Sequence, residues 1–312
     1  MLQLETTVTK SLKTLFLLIL ALSVVLPSLA LPAVTEADLK RMRTERRVAL
    51  VIGNSDYRNF EVLTNPANDA QGVANALRSA GFQVILKLDA TRDDMTQALN
   101  EFDKAMAGAQ VGLFYYAGHA AQVDWRNYML PVAAALDPSA GDLAGKVAQQ
   151  AMDLSEVLNR MGTMQSRINI VILDACRDNP FTTQALAVSA AASRSTGKTP
   201  FQVSAGLAQN FAPPRTFLAY ATAPGQVASD GAGRNSPYSG ALIAALSVPN
   251  LKLEDVFKRV RNSVAEATSQ EQIPWDNSSV FDDFYFRVPA TLEAAGNTEP
   301  RKKTVNSTFV AP

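Results

Sequence analysis

The sequence predicts an α/β fold with a mainly parallel sheet of about six strands and helices on both faces. Short apolar runs rich in β-branched residues alternate along the chain with amphipathic segments of helical period. Strands that alternate with helices of this length imply crossover connections and a sheet that is covered on both sides. Hydrophobic residues make up 47% of the 312 residues, which is enough for a sizeable core.

Three strands are predicted in the first half of the chain: Arg47–Gly53, Phe82–Leu88 and Gln110–Tyr116. The first crossover contains a helix over Asn68–Ala80, and Gly81 ends it as a C-terminal cap. The second contains a helix over Thr91–Ala107. Thr91 and Asp94, three residues later, form a pattern close to a capping box, and Gly108 can end this helix.

The second half of the chain continues the alternation. A short hairpin is expected at Tyr128–Val132, and a helix capped by Asp153 runs to Met161 with Glu156 at the capping-box position. The most strongly β-patterned run of the chain, Arg167–Leu173, is the fourth strand. The remaining predicted elements are a strand at Thr216–Ala221, helices at Ser239–Leu246 and Leu253–Ala267, and a last strand near Asp283–Val288.

The other segments have the composition of leader, linker or loop. Residues 1–33 resemble a secretory signal: Lys10 and Lys13 precede an apolar run over Thr14–Leu31, and small residues follow. The chain is therefore expected to be exported, to the periplasm or beyond. An uncleaved membrane anchor is the alternative, because about 17 apolar residues is near the lower limit for spanning a bilayer.

Residues 34–46 are predicted as a linker or short helix, 47–288 as one domain with a long loop at 182–214, and 289–312 as a disordered tail.

Composition excludes several classes of function. The 29 basic and 29 acidic residues give a net charge of zero, which offers no electrostatic footprint for nucleic acid. Contact with a membrane is expected only if the amino-terminal segment is retained. The single cysteine excludes a disulfide framework and a cysteine-rich zinc site. A nucleotide-binding Rossmann protein is excluded because no G-x-G-x-x-G pattern follows the first strand.

The only histidine and the only cysteine of the chain follow neighbouring strands. His119 comes three residues after the third predicted strand and Cys176 three residues after the fourth. Functional groups of open parallel sheets gather beyond the carboxyl ends of the strands, so both residues are expected at one edge. An imidazole can take the proton of a thiol and activate it as a nucleophile. A lone buried thiol and a loop histidine are the alternative, and no metal site is predicted because further ligands are missing.

The segments around these two residues, YYAGHAAQVDWRNYMLPV and VILDACRDNPF, resemble the caspase-like clan of cysteine peptidases, in particular its bacterial, paracaspase and metacaspase members. His119 precedes Cys176 by 57 positions, and in caspases the histidine lies roughly 50 residues upstream of the cysteine. The resemblance runs from Arg47 to about Val288. It implies a caspase-like fold in which Cys176 attacks the scissile carbonyl and His119 is the general acid and base.

The resemblance also implies an oxyanion hole. Its donors would be the backbone N–H of Cys176 and that of a neighbour of His119, either Gly118 or Ala120. The family commonly has glycine directly after the histidine, whereas this chain has Ala120. Alanine is readily tolerated there only if its backbone φ is negative.

Three acidic residues are candidates for the pocket that binds the side chain before the cut: Asp174, Asp69 and Asp230. Relatives with acidic residues in this pocket cleave after Arg or Lys, and caspases with arginines cleave after Asp. The acidic set predicts cleavage after Arg or Lys. Helix caps or solvated loop carboxylates are the alternative for Asp69 and Asp230, and Arg177 argues against a basic preference unless it points away.

The long loop suggests self-cleavage at Arg194 or Lys198, and the expected partners are protein or peptide substrates. No motif predicts a cofactor, and calcium dependence and oligomeric state stay open. Two other functions remain alternatives. One is a catalytically inactive caspase-like scaffold or binding protein. The other is a general hydrolase or transferase that uses the lone thiol on small esters or amides.

Overall fold

The computed structural model describes residues 34–137, 142–176, 203–204, 207–224, 226, 228, 229, 231 and 233–296. Residues from Glu36 onward form one compact unit. The strands are β1 Arg47–Gly53, β2 Phe82–Leu88, β3 Val111–Val123, β4 Arg126–Met129, β5 Met152–Asp153, β6 Ile168–Cys176, β7 Val203–Ser204, β8 Thr216–Tyr220 and β9 Trp275–Ser278. The helices are α1 Glu36–Thr44, α2 Pro66–Ser79, α3 Arg92–Met106, α4 Leu143–Gln150, α5 Leu154–Thr163, α6 Pro237–Leu246, α7 Leu253–Ala267 and α8 Leu292–Gly296.

Six of the strands form the main sheet, in the order β2-β1-β3-β6-β8-β9. The first five are parallel to one another, and β9 runs antiparallel to β8 at the edge. The far part of β3 continues beyond the sheet as an antiparallel hairpin with β4, to which β5 and β7 add short pairings. The prediction of a mainly parallel sheet of about six strands is confirmed.

Helices cover both faces of the sheet, and the alternation of side chains along β3 shows how. Leu113 and Tyr115 belong to a core cluster with residues of α2, α6 and α7, whereas Phe114 and Tyr116 belong to a second cluster with residues of α3 and α5. Successive side chains of a strand point to opposite faces. Every residue of β3 is buried, which explains why its sequence shows no polar alternation.

Local capping signals predicted from the sequence define two of the helices. Thr91 accepts a hydrogen bond from the backbone N–H of Asp94, whose side chain accepts one from the N–H of Thr91, so the capping box of α3 is complete. Asp153 caps α5 by accepting from Ser155 N at 2.7 Å. Glu156 pairs with Arg160 instead of completing a second box.

The structure decides between the two possibilities given for the segment 34–46 and corrects one terminal prediction. The segment, predicted as a linker or short helix, contains helix α1, whose Leu39 and Met42 are buried. Apolar residues at positions 39 and 42 lie on one side of a helix and pack against the domain. The tail predicted at 289–312 contains α8, and Arg43 donates to the carbonyl of Ala290 at 3.0 Å. Residues 1–33, predicted as a signal, and 297–312 lie outside the described residues.

The last strand is also corrected. Asp283–Val288 forms no strand: Phe284 and Phe286 are buried in the core, and Tyr285 makes an isolated bridge with Lys252. The edge strand is β9, whose polar sequence WDNS carries no β pattern and which is held by pairing with β8. Of the loop predicted at 182–214, residues 203–204 form β7, residues 207–214 have no regular structure apart from the start of a turn at Pro214, and the others lie outside the described residues.

Among the helices that the structure describes, none combines the length and the hydropathy that crossing a bilayer requires.

Candidate active site

β3 and β6 continue further than their apolar runs, and this changes the position of both reactive residues. Pairing between the two strands extends through Ala117–Asp174 and Gly118–Ala175 to His119–Cys176. His119 therefore lies inside β3 and Cys176 is the last residue of β6, whereas the sequence predicted both in loops three residues beyond a strand. The expectation that the two residues lie at one edge agrees with this register.

The loop between β1 and α2, residues 54–65, surrounds the imidazole. His119 Nε2 is 2.9 Å from the carbonyl oxygen of Glu61. The ring of Tyr57 lies against the imidazole with centroids 4.5 Å apart, and the ring of Phe60 lies edge-on at 6.2 Å. A carbonyl oxygen can only accept, so Nε2 is the nitrogen that carries the proton. In the neutral ring the lone pair is then on Nδ1.

Two tyrosines hold the backbone of His119. Its N–H donates to Tyr57 Oη at 2.8 Å, and its carbonyl oxygen accepts from Tyr116 Oη at 2.7 Å. The N–H of Leu130, just after β4, donates to the same carbonyl at 3.0 Å. These bonds fix the peptide groups on both sides of the histidine, so the ring is held through both its backbone and its side chain.

Gly118 and Ala120 flank the histidine in different conformations. Gly118 has φ of +146°, and a Cβ at this position would lie 2.5 Å from Tyr57 Oη, so the residue must be glycine. Ala120 is paired with Met129 in the β3–β4 hairpin and is not among the residues of positive φ. The condition under which alanine is tolerated after the histidine is therefore met.

Asp174 and Asp69 are both buried and both bind Ser236, the residue that precedes α6. Ser236 Oγ donates to Asp174 Oδ2 at 2.6 Å, and Ser236 N donates to Asp69 Oδ1 at 3.1 Å. Asn235 Nδ2 donates to the same oxygen of Asp69 at 2.8 Å. Asp69 is thus no cap for its own helix α2, and two carboxylates distant in sequence converge on one serine.

A second serine and a tyrosine extend this network. Ser239 Oγ donates to Asp174 Oδ2 at 2.6 Å and lies 2.6 Å from Tyr115 Oη. Burial raises the pKa of Tyr115 well above 10, and the nearby charges of Asp174 and Asp69 raise it further. The phenol therefore stays protonated and can donate to Ser239, which leaves the serine hydroxyl to donate to the carboxylate.

Comparison with known proteins decides the family. A family model described as the caspase domain matches residues 46–285. The chain belongs to the caspase-domain family. This is a family of caspase-like peptidases, so the resemblance and the caspase-like fold class predicted from the sequence are both confirmed.

Two relatives of this caspase domain match part of the chain. Mucosa-associated lymphoid tissue lymphoma translocation protein 1 of Homo sapiens is 32% identical over 131 residues, and its homolog of Mus musculus is 31% identical over 131 residues. Each match covers 42% of this chain and 15% of the relative. The similarity is therefore to a segment of much longer proteins.

Of the residues predicted for the caspase site, the structure relates His119 to Cys176 through the strand register and Asp69 to Asp174 through Ser236. Asp230, Arg177, Arg194 and Lys198 lie outside the described residues. Among the residues described, no three His, Cys, Asp or Glu side chains are grouped so as to hold a metal ion.

Sequence reasoning missed the groups that support the site. Glu61 contributes a backbone carbonyl, which any residue type carries, so no sequence pattern could have identified it. Tyr57 lies in the loop after β1, and nothing in the sequence around it indicates contact with a histidine. Ser236 had a usable signal, because serine before proline marks the start of a helix at Pro237, and the predicted helix began at Ser239.

Proposed function

We propose that this caspase domain is a cysteine endopeptidase in which His119 and Cys176 form the catalytic pair, and that it cleaves after Arg or Lys. The observation that carries the proposal is the register of β3 and β6, in which His119 and Cys176 are direct partners. Neighbouring strands lie about 4.8 Å apart. The chain has no other histidine or cysteine that could serve.

The bonds of His119 indicate which nitrogen does the chemistry. Nε2 donates to the carbonyl of Glu61, so Nδ1 would accept the proton of the thiol of Cys176. The thiolate would attack the carbonyl carbon of the scissile peptide, and Nδ1 would return the proton to the leaving amine. Water, deprotonated by the same nitrogen, would then hydrolyse the thioester and restore the thiol.

The developing oxyanion would be bound by backbone N–H groups at the same edge of the sheet. The candidates are Cys176 and a neighbour of His119, either Gly118 or Ala120. The N–H of His119 itself is engaged by Tyr57 Oη at 2.8 Å, which supports a flanking residue as the donor. The rigid backbone around the histidine would keep such a donor in place during the reaction.

The preference for a basic side chain is supported by the buried carboxylates. Asp174 lies two residues before Cys176 on the same strand, and Asp69 converges with it on Ser236. The donors at Ser236, Ser239 and Asn235 are uncharged, so they orient the carboxylates without neutralising them. Two negative charges in this position complement the guanidinium of Arg or the ammonium of Lys. The expected substrates are therefore proteins or peptides with a basic residue before the cut.

Peptide cleavage tests the proposal. Peptides that differ only in Arg, Lys or Asp before the cut are incubated with the wild-type chain, Cys176→Ala and His119→Ala. We expect turnover of the Arg and Lys peptides by the wild type alone. Preference for the Asp peptide would refute the assignment of the pocket but leave the pair intact. Equal turnover by Cys176→Ala would refute the pair, and absence of turnover together with peptide binding would favour an inactive binding protein.

Self-cleavage at Arg194 or Lys198 belongs to the same proposal. Incubation of the purified wild type beside Cys176→Ala, followed by intact-mass measurement, should give fragments in the wild type only. Replacing both basic residues by Gln should abolish those fragments while peptide cleavage continues. Identical uncut chains in all three samples would refute self-cleavage.

Export is proposed on the basis of Lys10, Lys13 and the apolar run over Thr14–Leu31. Fractionation of producing cells, with and without residues 1–33, tests it. Recovery of the full chain in the cytoplasmic fraction would refute it.

A further inference from the structure

We propose that Asp89, which lies outside the proposed catalytic pair, is a positioning residue that determines which nitrogen of His119 carries the proton. The inference rests on the proposed function only in assigning the general acid and base to His119. Asp89 follows β2 and lies on the surface. It acts through the loop 54–65, the segment that surrounds the imidazole.

The proton position of His119 depends on one backbone group of that loop. The carbonyl of Glu61 accepts from Nε2 at 2.9 Å, and the side chain of Glu61 takes no part. Without this acceptor at hydrogen-bond distance the two neutral forms of an imidazole differ little in energy. The orientation of the peptide after Glu61 therefore decides the form that is populated.

Ser55 determines the shape of the part of the loop that carries Glu61. The carbonyl of Ser55 accepts from Tyr57 N at 3.1 Å and from Leu63 N at 3.0 Å, so it closes the segment 57–63 from both ends. Ser55 Oγ also accepts from Ala67 N at 3.0 Å and joins the loop to the first turn of α2. A displacement of Ser55 is transmitted to both ends of the segment.

Asp89 holds Ser55 in place. Its Oδ1 accepts from Ser55 N at 2.8 Å and from Asp56 N at 2.9 Å, and its own N–H donates to the carbonyl of Gly53 at 2.9 Å. Asp89 has φ of +50°, a conformation that aspartate and asparagine adopt more readily than other residues with a side chain. Its carboxylate, which binds two consecutive N–H groups, fixes the orientation of both peptide groups at the start of the loop.

The loop also has anchors that do not involve Asp89. Arg58 N donates to the carbonyl of Val132 at 2.9 Å, and Asn59 Nδ2 donates to the carbonyl of Ala134 at 3.0 Å. These bonds lie between Ser55 and Glu61. Because these two bonds remain, loss of the Asp89 side chain is expected to change the orientation of the loop and to leave the domain folded. The effect on His119 can then be measured.

The single histidine of the chain makes a direct experiment possible, because every imidazole signal comes from His119. The chain is labelled with ¹⁵N-histidine in a Cys176→Ala background, which prevents self-cleavage. Long-range ¹H–¹⁵N spectra are recorded at about pH 8, where an unperturbed imidazole is neutral. The variants are Asp89→Ala, Asp89→Asn, which keeps the acceptor oxygen and tolerates positive φ, and Asp93→Ala, an exposed acidic residue nearby as the matched control.

We expect the parent protein, Asp89→Asn and Asp93→Ala to show the form protonated at Nε2, and Asp89→Ala to show a mixture of both neutral forms. With Cys176 restored, Asp89→Ala should lower kcat by about tenfold at unchanged KM. An Asp89→Ala variant with lower thermal stability but the parent ring signals would refute the positioning role. A chain without peptidase activity would refute the proposed function, and the ring signals would still decide the role of Asp89.

Discussion

Replacing Ser236 by Ala tests the link between the two buried carboxylates. The hydroxyl of Ser236 donates to Asp174 Oδ2 at 2.6 Å and accepts from Ser239 N at 2.9 Å as the cap of α6. A hydrogen bond to a charged group contributes about 1.5–3 kcal/mol to stability, and loss of a helix cap costs about 1 kcal/mol. Ser236→Ala should therefore lower the free energy of unfolding by about 2.5–4 kcal/mol.

The two contributions can be separated by further variants, all in the Cys176→Ala background. Ser236→Gly retains most of the capping energy, so the difference between the Gly and Ala variants reports the cap. A double-mutant cycle with Asp174→Ala reports the hydrogen bond and should give a coupling energy of about 1.5–3 kcal/mol. The matched control is Thr91→Ala, which removes a cap of similar kind from α3 and should be additive with Asp174→Ala.

Chemical denaturation measures all of these free energies. A coupling energy between Ser236 and Asp174 below about 0.5 kcal/mol, the usual scatter of additive pairs, would refute the conclusion that Ser236 holds the carboxylate. In that case Ser236 would act only as a helix cap, and its bonds to Asp69 and Asp174 would no longer support the proposal that the two carboxylates form one pocket.

Three further outcomes follow from the backbone. Trp125→Gly should raise the free energy of unfolding, measured in urea, by about 1 kcal/mol, because the two-residue turn at Asp124 and Trp125 has positive φ at both positions. Trp125→Ala should not raise it, and an equal rise in this control would contradict the argument. Gly118→Ala should unfold the chain or displace Tyr57, because the added Cβ would collide with Tyr57 Oη. Ala120→Gly should lower the free energy of unfolding by only about 0.5–1 kcal/mol. A Gly118→Ala variant as stable as the parent protein would contradict the steric argument. A chain cut between residues 194 and 198 should elute as one particle in size-exclusion chromatography, because β8 beyond the cut pairs with β6 before it; separation of the fragments without denaturant would contradict this.

The extent of β3 and β6 shows what a sequence pattern reports and what it misses. The apolar runs of both strands were predicted because buried strands need apolar side chains. The residues that directly follow these runs, Ala117 to His119 and Asp174 to Cys176, are small or polar, and they are extended because each strand pairs with the other. The same distinction explains the error at the carboxyl end. The aromatic residues 284 and 286 fill the core without strand pairing, and the polar residues of β9 pair without an apolar pattern.

The same distinction applies to the candidate site, where side-chain groups could be predicted from the sequence and backbone groups could not. His119, Cys176, Asp69 and Asp174 were identified as candidates because their side chains are of types that can carry such chemistry, and residue types are visible in a sequence. The acceptor for the imidazole of His119 is the backbone carbonyl of Glu61, and one donor to Asp69 is the backbone N–H of Ser236; no residue type reveals either group. Their roles follow only from the course of two loops, which depends on contacts between distant parts of the chain.

The elements that carry the candidate site residues suggest that the proposed specificity is coupled to the proposed nucleophile through Asp174 and is independent of it at Asp69. Asp174 and Cys176 belong to one strand, so their Cα atoms are fixed at about 6.6 Å by strand geometry. Asp69 comes from α2 and is connected to Asp174 through Ser236, the residue that precedes α6. A change of charge at position 69 is therefore expected to alter the proposed pocket without moving the strand that carries the proposed nucleophile. A change at position 174 also disturbs two serines and the end of β6, so the proposed pocket should vary more freely at Asp69 than at Asp174.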